Sequence, residues 1–356
     1  VFEELPFAGG MMRYAIPEYR LPRNIIEEEV KDIEALGVEI RTKTRVGKDI
    51  SYDKISKDYD GIVIACGAHK SWTLDIEGED LKGVWGATEF LREVNLGKKV
   101  KLGSKVAIVG GGNSAIDAAR TAIRLGAADV TILYRRERKD MPAWEHEIKA
   151  AEHEGVKIEY LVAPVKLVGD KGKLNGVVCQ KMKLGEFDRS GRRKPVPIPG
   201  SEYTLAIDTM IPAISQSADT SFIPDGSDVK RDKRGGIEKV AKSKNKTLAK
   251  GVYIIGDAAT GPATVVEAIA MGHEVARDVD ASIREWNNEP AYSEPEQDKI
   301  DIPFEVNEEL LVTPKEVMPE MEIAARVANF AEVELGYTRE TAYKEACRCL
   351  RCDAEL

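Results

Sequence analysis

The sequence predicts an α/β fold in which one nucleotide-binding type of domain is inserted into another and a helical tail closes the chain. Three observations carry this. A complete strand, turn, helix and strand unit occupies the middle, from Lys105 to Tyr134. Two segments, YDGIVIACGA and IDTMIPAIS, share an acid, a hydrophobic run and an exit through small residues, as if two related folds each ended on the same kind of strand. A second strand, turn and helix, GVYIIGDAATGPATVVEAIAMG, then follows a polar stretch, so two halves of one fold flank the insert. The expected divisions are 1–98 and 215–285 for the outer domain, 99–214 for the insert, and 286–356 for a linker and tail.

At 356 residues the chain exceeds one ordinary domain. No run of eighteen uncharged apolar residues occurs, so no membrane span is expected. The net charge of -9, from 61 acids and 52 bases spread along the chain, leaves no basic stripe for a phosphate backbone and argues against a nucleic-acid partner. Five cysteines are too few for a disulfide framework, and Cys347, Cys349 and Cys352 crowd into the last ten residues. That clustering points to a metal in a reducing, cytoplasmic compartment. Val1-Phe2-Glu3 reads as the end of a strand, so an upstream segment is expected.

Taken in order, NIIEEEVKDIEAL puts Ile25, Ile26, Val30, Ile33 and Leu36 on one helical face, with Gly37 as the stop. VEIRTKT alternates as a strand does, and Ile62 to Ala65 is a short buried strand running into Gly67. In the insert, KVAIV, GGGNSA, AIDAARTAIRL and VTILY form the βαβ unit. A helix from about Glu145 to Glu154 leads to VKIEYLV and to a hairpin within LVGDKGKLNGVVCQKMKL, punctuated by Gly and Asn. Beyond the linker, EIAARVANFAEVEL and TRETAYKEACRCL read as helices, the second opened by Thr338.

The glycines of Gly110-Gly111-Gly112-Asn113-Ser114-Ala115 follow a strand and open a helix, which is the context a dinucleotide needs. Gly110 allows the tight turn, Gly112 lets backbone approach a pyrophosphate, and Ala115 lets the helix pack closely on the strand. A purely structural turn is the competing reading. At the end of VTILY, where an NAD site carries an acid, the sequence is Tyr134-Arg135-Arg136. Guanidinium groups there suit a 2′-phosphate, hence NADPH, against the alternative of a solvated basic loop.

Glu3 stands where an FAD fold holds the adenosine ribose, followed by the Gly9-Gly10-Met11 turn and an extended RYAIPEYRLP beginning at Arg13. Gly256-Asp257, after the strand VYII, precedes a helix starting near Pro262 to Thr264. An acid there accepts from a ribityl hydroxyl while the helix aims its positive end at the flavin pyrimidine ring. Plain loops and an Asx turn are the alternatives at these two places.

These residues together carry a resemblance. VFEELPFAGGMMRYAIPEYRLPR, KVAIVGGGNSAIDAARTAIRLGA, VTILYRRERKDMPA, GVYIIGDAATGPATVVEAIAMG and NFAEVELGYTRETAYKEACRCLRC are similar to the small-subunit family of NADPH-dependent glutamate synthase. Its relatives include ferredoxin:NADP transhydrogenases, dihydropyrimidine dehydrogenase and the NADPH-dependent iron(III) reductase beta subunit. The resemblance implies FAD contacts at Glu3, Gly10, Met11, Arg13, Gly256, Asp257, Thr264, Val265 and Val266. It implies NADPH at Gly110, Gly112, Asn113, Ser114 and Ala115, with the 2′-phosphate at Arg135 and Arg136. Cys347, Cys349 and Cys352 suit a 4Fe-4S cluster with a fourth ligand from elsewhere; zinc and a free thiol tail stay open. Cys66 and Cys179 sit in apolar strand contexts as small buried side chains.

Hydride transfer from nicotinamide to flavin needs stacked rings and no protein nucleophile, so no catalytic side chain is assigned. His69, His146, His153 and His273 show no ligand spacing. The expected activity is an NADPH-dependent FAD oxidoreductase subunit passing single electrons to iron–sulfur clusters or a partner subunit in a hetero-oligomer. Two alternatives stand beside it: a glutamate synthase small chain, and a degenerate, non-catalytic nucleotide-binding subunit. A disulfide reductase is disfavoured because no CxxC lies inside the nucleotide-binding folds.

Overall fold

Val106, Ala107, Ile108 and Val109 form an apolar strand, and all four are buried, as a strand covered on both faces requires. In the computed structural model, which describes residues 1–188, 191–232, 235–293 and 312–349, this strand lies inside a four-stranded parallel sheet. Thr209–Pro212 flanks Lys105–Val109 on one side, and Asp129–Tyr134 then Lys157–Tyr160 lie on the other. One face is covered by the helices Asn113–Arg124, Glu145–His153 and Ala87–Asn95, whose Ile116, Ala119, Ile148, Phe90 and Leu91 meet Ile108, Ile132 and Ile211. The other face meets an antiparallel sheet of Val162–Asp170, Lys173–Phe187, Arg193–Pro197 and Tyr203–Leu205, through Leu167, Val177 and Cys179 against Ala107, Leu133 and Met210. Each large aliphatic side chain buried here contributes about 1.5–3 kcal/mol, which makes this three-layer unit the main core.

The expected hairpin joins Val162–Asp170 to Lys173–Phe187 through a two-residue turn. It falls at Lys171 (φ 49°) and Gly172 (φ 76°), both left-handed as a two-residue turn demands. Asn175-Gly176 instead lies inside a strand, where a Cβ on Gly176 would sit 3.2 Å from the Leu205 carbonyl oxygen of the neighbouring strand.

Elsewhere, Ile62–Ile64 pairs in parallel with Val252–Ile254 over a core of Ile64, Ile223, Val229 and Ile254. VEIRTKT does not form a strand. It makes one parallel bridge, Phe2 to Arg41, because the backbone bends away after Glu3, whose carboxylate accepts from Leu5 N at 2.7 Å. The extended segment expected from Arg13 is likewise corrected: Gly10–Tyr14 is a helix, entered through Gly9 at φ 119°, and Tyr14 Oη donates to the Phe7 carbonyl at 3.0 Å.

Val265–Asn287 is the longest helix; Thr264 caps it and Glu267 completes a capping box. The linker expected from residue 286 is therefore helical as far as Asn287, and 294–311 lie outside the described residues. The helix expected over EIAARVANFAEVEL is only Ile323–Arg326. Asn329 ends it, donating to the Ala325 carbonyl and accepting from Ala331 N, which frees Phe330 and Val333 to turn onto Tyr19. Arg339–Cys347 is a helix capped by Thr338, as expected. Among the described residues, no helix is long and apolar enough to cross a membrane.

Candidate functional site

The three glycines of the central turn meet different neighbours. Gly110 has φ 140°, and a Cβ there would lie 2.3 Å from the Ala213 carbonyl oxygen; one on Gly111 would lie 2.5 Å from the Tyr134 ring. Both are glycine for internal reasons. Gly112 is different: its φ of -89° suits any residue, and the nearest atom to an added Cβ would be Pro142 Cγ at 3.9 Å. Among the described residues no side chain caps the Asn113–Arg124 helix that Gly112 opens, which leaves the start of the helix available to an anion.

The loop 141–144 folds over this turn. Ala143 N donates to the Gly111 carbonyl at 3.1 Å, and Trp144 N to Asn113 Oδ1 at 3.2 Å. From the far side Gln216 Nε2 reaches Ser114 Oγ at 3.5 Å, and Ala115 is fully buried beneath. Gly110, Gly112, Asn113, Ser114 and Ala115 thus form one cradle.

At the end of the adjacent strand the two arginines part. Arg136 is 4% exposed; its Nη2 donates to Asp188 at 2.7 Å and its Nε to the Arg193 carbonyl at 2.8 Å. Arg135 is exposed and, among the described residues, has no carboxylate or carbonyl partner. Partial burial, with the charge of Arg136 beside it, holds the Arg135 guanidinium below its usual range.

The residues expected at FAD lie on two separate stretches of the chain. Burial raises the Glu3 carboxyl above its ordinary value. Gly10, at φ 51°, has no atom within 4 Å of where a Cβ would stand, so space remains open beside Met11. Arg13 is engaged, bonded to Glu27 at 2.9 Å and stacked 4.1 Å over the Phe7 ring. On the other stretch, after the strand Val252–Ile254, Gly256 turns at φ 60° and Asp257 starts a one-turn helix, its Oδ1 accepting from Ala263 N at 3.1 Å. Burial also raises the Asp257 carboxyl. Thr264 then opens the long helix, whose first residues leave Val265, Val266 and Ile269 exposed, an apolar surface beside a positive helix end. Open space at Gly10, half-buried acids and an apolar shelf are features that suit a flavin nucleotide.

In the tail Cys347 and Cys349 are exposed and Cys352 lies outside the described residues. Among the described residues no three metal-ligating side chains converge. Cys179 is fully buried and Cys66 half-buried; burial pushes their thiols up to about 12 and about 11.

One cluster escaped the sequence reading. Arg20 bonds Asp117 and Glu147; Arg120 bonds Glu147 and Glu154; Arg124 bonds Glu154; and Tyr19 lies under both Arg120 and Arg124, 4.8 and 3.8 Å from its ring. The cluster borders a cavity of about 260 Å³. Asp117, Arg120 and Arg124, spaced i, i+3, i+7 on an otherwise alanine-rich helix, were the available signal.

With this geometry in view, residues 2–272 match the family model described as pyridine nucleotide-disulphide oxidoreductase. The chain belongs to that family. Within it, the chain is 44% identical over 363 residues to the NADP(+)-dependent formate dehydrogenase subunit beta of Moorella thermoacetica, covering 99% of this chain and 50% of the relative. It is 39% identical to the NADPH-Fe(3+) oxidoreductase subunit beta of Geobacter sulfurreducens, covering 99% and 57%. A putative NADPH glutamate synthase small chain of Cereibacter sphaeroides is 34% identical, with 78% and 70% covered. The chain thus spans about half the length of the first two relatives. FprA from Mycobacterium tuberculosis, solved with NADPH, superposes with a TM-score of 0.67 at 19% identity, covering 83% of this chain and 80% of FprA. A Lactococcus lactis thioredoxin reductase gives 0.57 at 22% identity, covering 80% and 90%. Both are likenesses of fold. The expected architecture of two dinucleotide-binding domains is that of this oxidoreductase family.

Proposed function

We propose that the chain is the nucleotide-handling part of an NADPH-dependent FAD oxidoreductase subunit that works with a redox partner subunit. One observation carries this reading: among the described residues nothing requires a glycine at 112, no side chain caps the helix it opens, and the exposed Arg135 at the end of the neighbouring strand has no carboxylate or carbonyl partner. A pyrophosphate against the turn and a 2′-phosphate against Arg135 account for both. Two relatives named as an NADP(+)-dependent formate dehydrogenase subunit beta and an NADPH-Fe(3+) oxidoreductase subunit beta support the same nucleotide.

In this reading Gly110, Gly112, Asn113, Ser114 and Ala115 hold the nicotinamide nucleotide. Asn113 also pins the loop at Trp144 against the turn. Glu3, Gly10, Met11, Asp257 and the Thr264–Val266 turn hold FAD, with Arg13 bracing the first of these segments through Glu27. Bound FAD supplies the chemistry, accepting hydride and releasing electrons singly. The protein's part is to hold, orient and exclude water, and no side chain acts as nucleophile or base. Cys347, Cys349 and Cys352 are the proposed ligands of a 4Fe-4S cluster, a role that soft thiolates suit. Unpaired thiols at Cys66, Cys179, Cys347 and Cys349 suit a reducing compartment, and we place the protein in the cytoplasm.

The test is anaerobic reduction of the natural full-length polypeptide. NADPH is expected to bleach the flavin absorbance much faster than NADH, and Arg135→Ala to erase most of that preference. A colourless protein, or one equally indifferent to both nucleotides, ends the reading.

A further inference from the structure

The chain crosses twice between its small parallel sheet, Ile62–Ile64 with Val252–Ile254, and the four-stranded sheet around Lys105–Val109. Both crossings run through one short antiparallel pair, Lys70–Ser71 beside Gln216–Ser217, matched over two residues each. So slight a ladder acts as a hinge unless something else holds the two sides together. The segment from Gly10 to Arg20 supplies that hold. On its own side, Arg23 donates to the Met12 carbonyl at 3.0 Å and to the Ile16 carbonyl at 2.9 Å. From the other side, Asn95 Nδ2 donates to the Tyr14 and Ile16 carbonyls at 3.0 and 3.3 Å. Asn95 ends the helix Ala87–Asn95, whose Phe90 and Leu91 are buried against the four-stranded sheet. Arg20 then reaches Asp117 at 2.8 Å and Glu147 at 2.6 Å, on the other two helices of that face, while Tyr19 lies under Arg120 and Arg124. The piece of chain headed by Gly10 and Met11 is thus bonded to all three helices covering that face, one of which opens at Gly112.

We infer that Asn95 and Arg20 are positioning residues for hydride transfer. They lock the Gly10 to Arg20 segment onto the nucleotide-binding unit, so that the two cofactor sites keep one fixed arrangement and no rotation about the crossover enters turnover. The inference rests on the NADPH and FAD reading above and adds to it what fixes one site relative to the other. The two holds are chemically different. Asn95 is neutral and bonds carbonyls, so salt leaves it untouched; Arg20 meets an Asp117 that is 4% exposed, where screening is weak.

The experiment places spin labels at Leu36 and Lys149, exposed on either side of the crossover, in the natural full-length protein, through an unnatural amino acid that spares the native cysteines. Pulsed electron resonance then reads the distance between the two sides without any turnover. Wild type is expected to give one narrow distance, the same with and without NADP+. Asn95→Ala combined with Arg20→Met is expected to broaden it. In the same variant, anaerobic flavin reduction by saturating NADPH is expected to slow about ten- to a hundredfold, the scale for misplacing reacting groups by about an ångström. Calorimetric binding of adenosine 2′,5′-bisphosphate is expected to stay unchanged, because the phosphate cradle is untouched. A merely structural role would lower the melting temperature without moving the distance or separating rate from affinity. If the double variant does not fold, Asn95→Ala alone, which releases only two loop carbonyls, carries the comparison. A second distance in wild type, a shift on adding NADP+, a wild-type reduction rate in the variant, or a slower rate matched by equally weaker bisphosphate binding overturns the inference. A wild type that holds one distance but is not reduced by NADPH ends the NADPH reading and leaves the fixed arrangement standing.

Discussion

Arg20 Nη1 lies 2.8 Å from Asp117 Oδ1, joining a residue near the start of the chain to the helix that the Gly112 turn opens. Asp117 is 4% exposed, and burial, only partly offset by Arg20, lifts its carboxyl to about 6 from an ordinary 3.8. A carboxyl raised on folding keeps its proton in the native state after the unfolded chain has released it. Its contribution to stability is therefore complete below about pH 4 and lost as pH rises to about 6.

Asp117→Asn removes this titration. The difference in Tm, variant minus wild type, is expected to rise from pH 4 to pH 6 and then level off. A difference that stays flat across that window would show that Asp117 titrates alike in both states.

Glu154, with its side chain wholly enclosed, accepts from both Arg120 and Arg124. Burial alone would raise its carboxyl, but the hydrogen bonds from Arg124 and Arg120 outweigh it and hold the group below the usual range. Glu154→Gln leaves two buried guanidinium groups facing Tyr19 with too little negative charge. A loss of about 3–5 kcal/mol is expected in chemical denaturation, the scale for removing one partner of a buried pair. A loss under about 1 kcal/mol would place the pair in the class of solvated surface bridges.

Gly110→Ala and Gly112→Ala should behave oppositely. The first forces a methyl group to 2.3 Å from the Ala213 carbonyl at a left-handed φ and is expected to destabilise strongly. The second has room and an ordinary φ, so stability is expected to hold or to gain up to about 1 kcal/mol. Its cost falls on the ligand, with an expected rise of about tenfold or more in KM for NADPH, roughly 1.4 kcal/mol of lost approach. Equal KM values would mean that the turn meets no pyrophosphate.

What was legible in the sequence is what short stretches encode. KVAIV, GGGNSA and the alanine-rich helix declare themselves because strand, turn and helix periods follow one another within thirty residues. The cradle at Gly112 followed from that local order. VEIRTKT alternates correctly yet makes one bridge, because pairing depends on how far Val1 to Glu3 runs beside it. EIAARVANFAEVEL has helical periodicity, but Asn329 offers its side chain to the backbone and the tertiary contacts of Phe330 and Val333 win. The hairpin has two plausible turns, Lys171-Gly172 and Asn175-Gly176, and the pairing of Gly176 beside Leu205 selects the first. The Arg20 to Asp117 pair spans 97 residues, a distance no periodicity reports. Arg135 and Arg136 look identical as neighbours in sequence; only the loop at Asp188 separates them.

Thr264 offers a local test. It accepts from Glu267 N while Glu267 accepts from Thr264 N, tying down the entry to the long helix. Thr264→Ala is expected to cost about 1 kcal/mol and to loosen amide protection over the first turn of Val265–Asn287. Unchanged exchange there would show that the cap is idle.

Val333 N donates to the Tyr19 carbonyl at 3.0 Å, and Phe330 rests beside the Tyr19 ring. This anchorage puts Cys347 on a leash. The helix Arg339–Cys347, of 9 residues, spans about 14 Å at 1.5 Å per residue, and the stretch before it adds at most about 17 Å fully extended. Under the proposed function, any group held by those thiols would stay within roughly 30 Å of the Tyr19 anchor, so a redox partner would meet it on this molecule's flank and not on a tail that swings out.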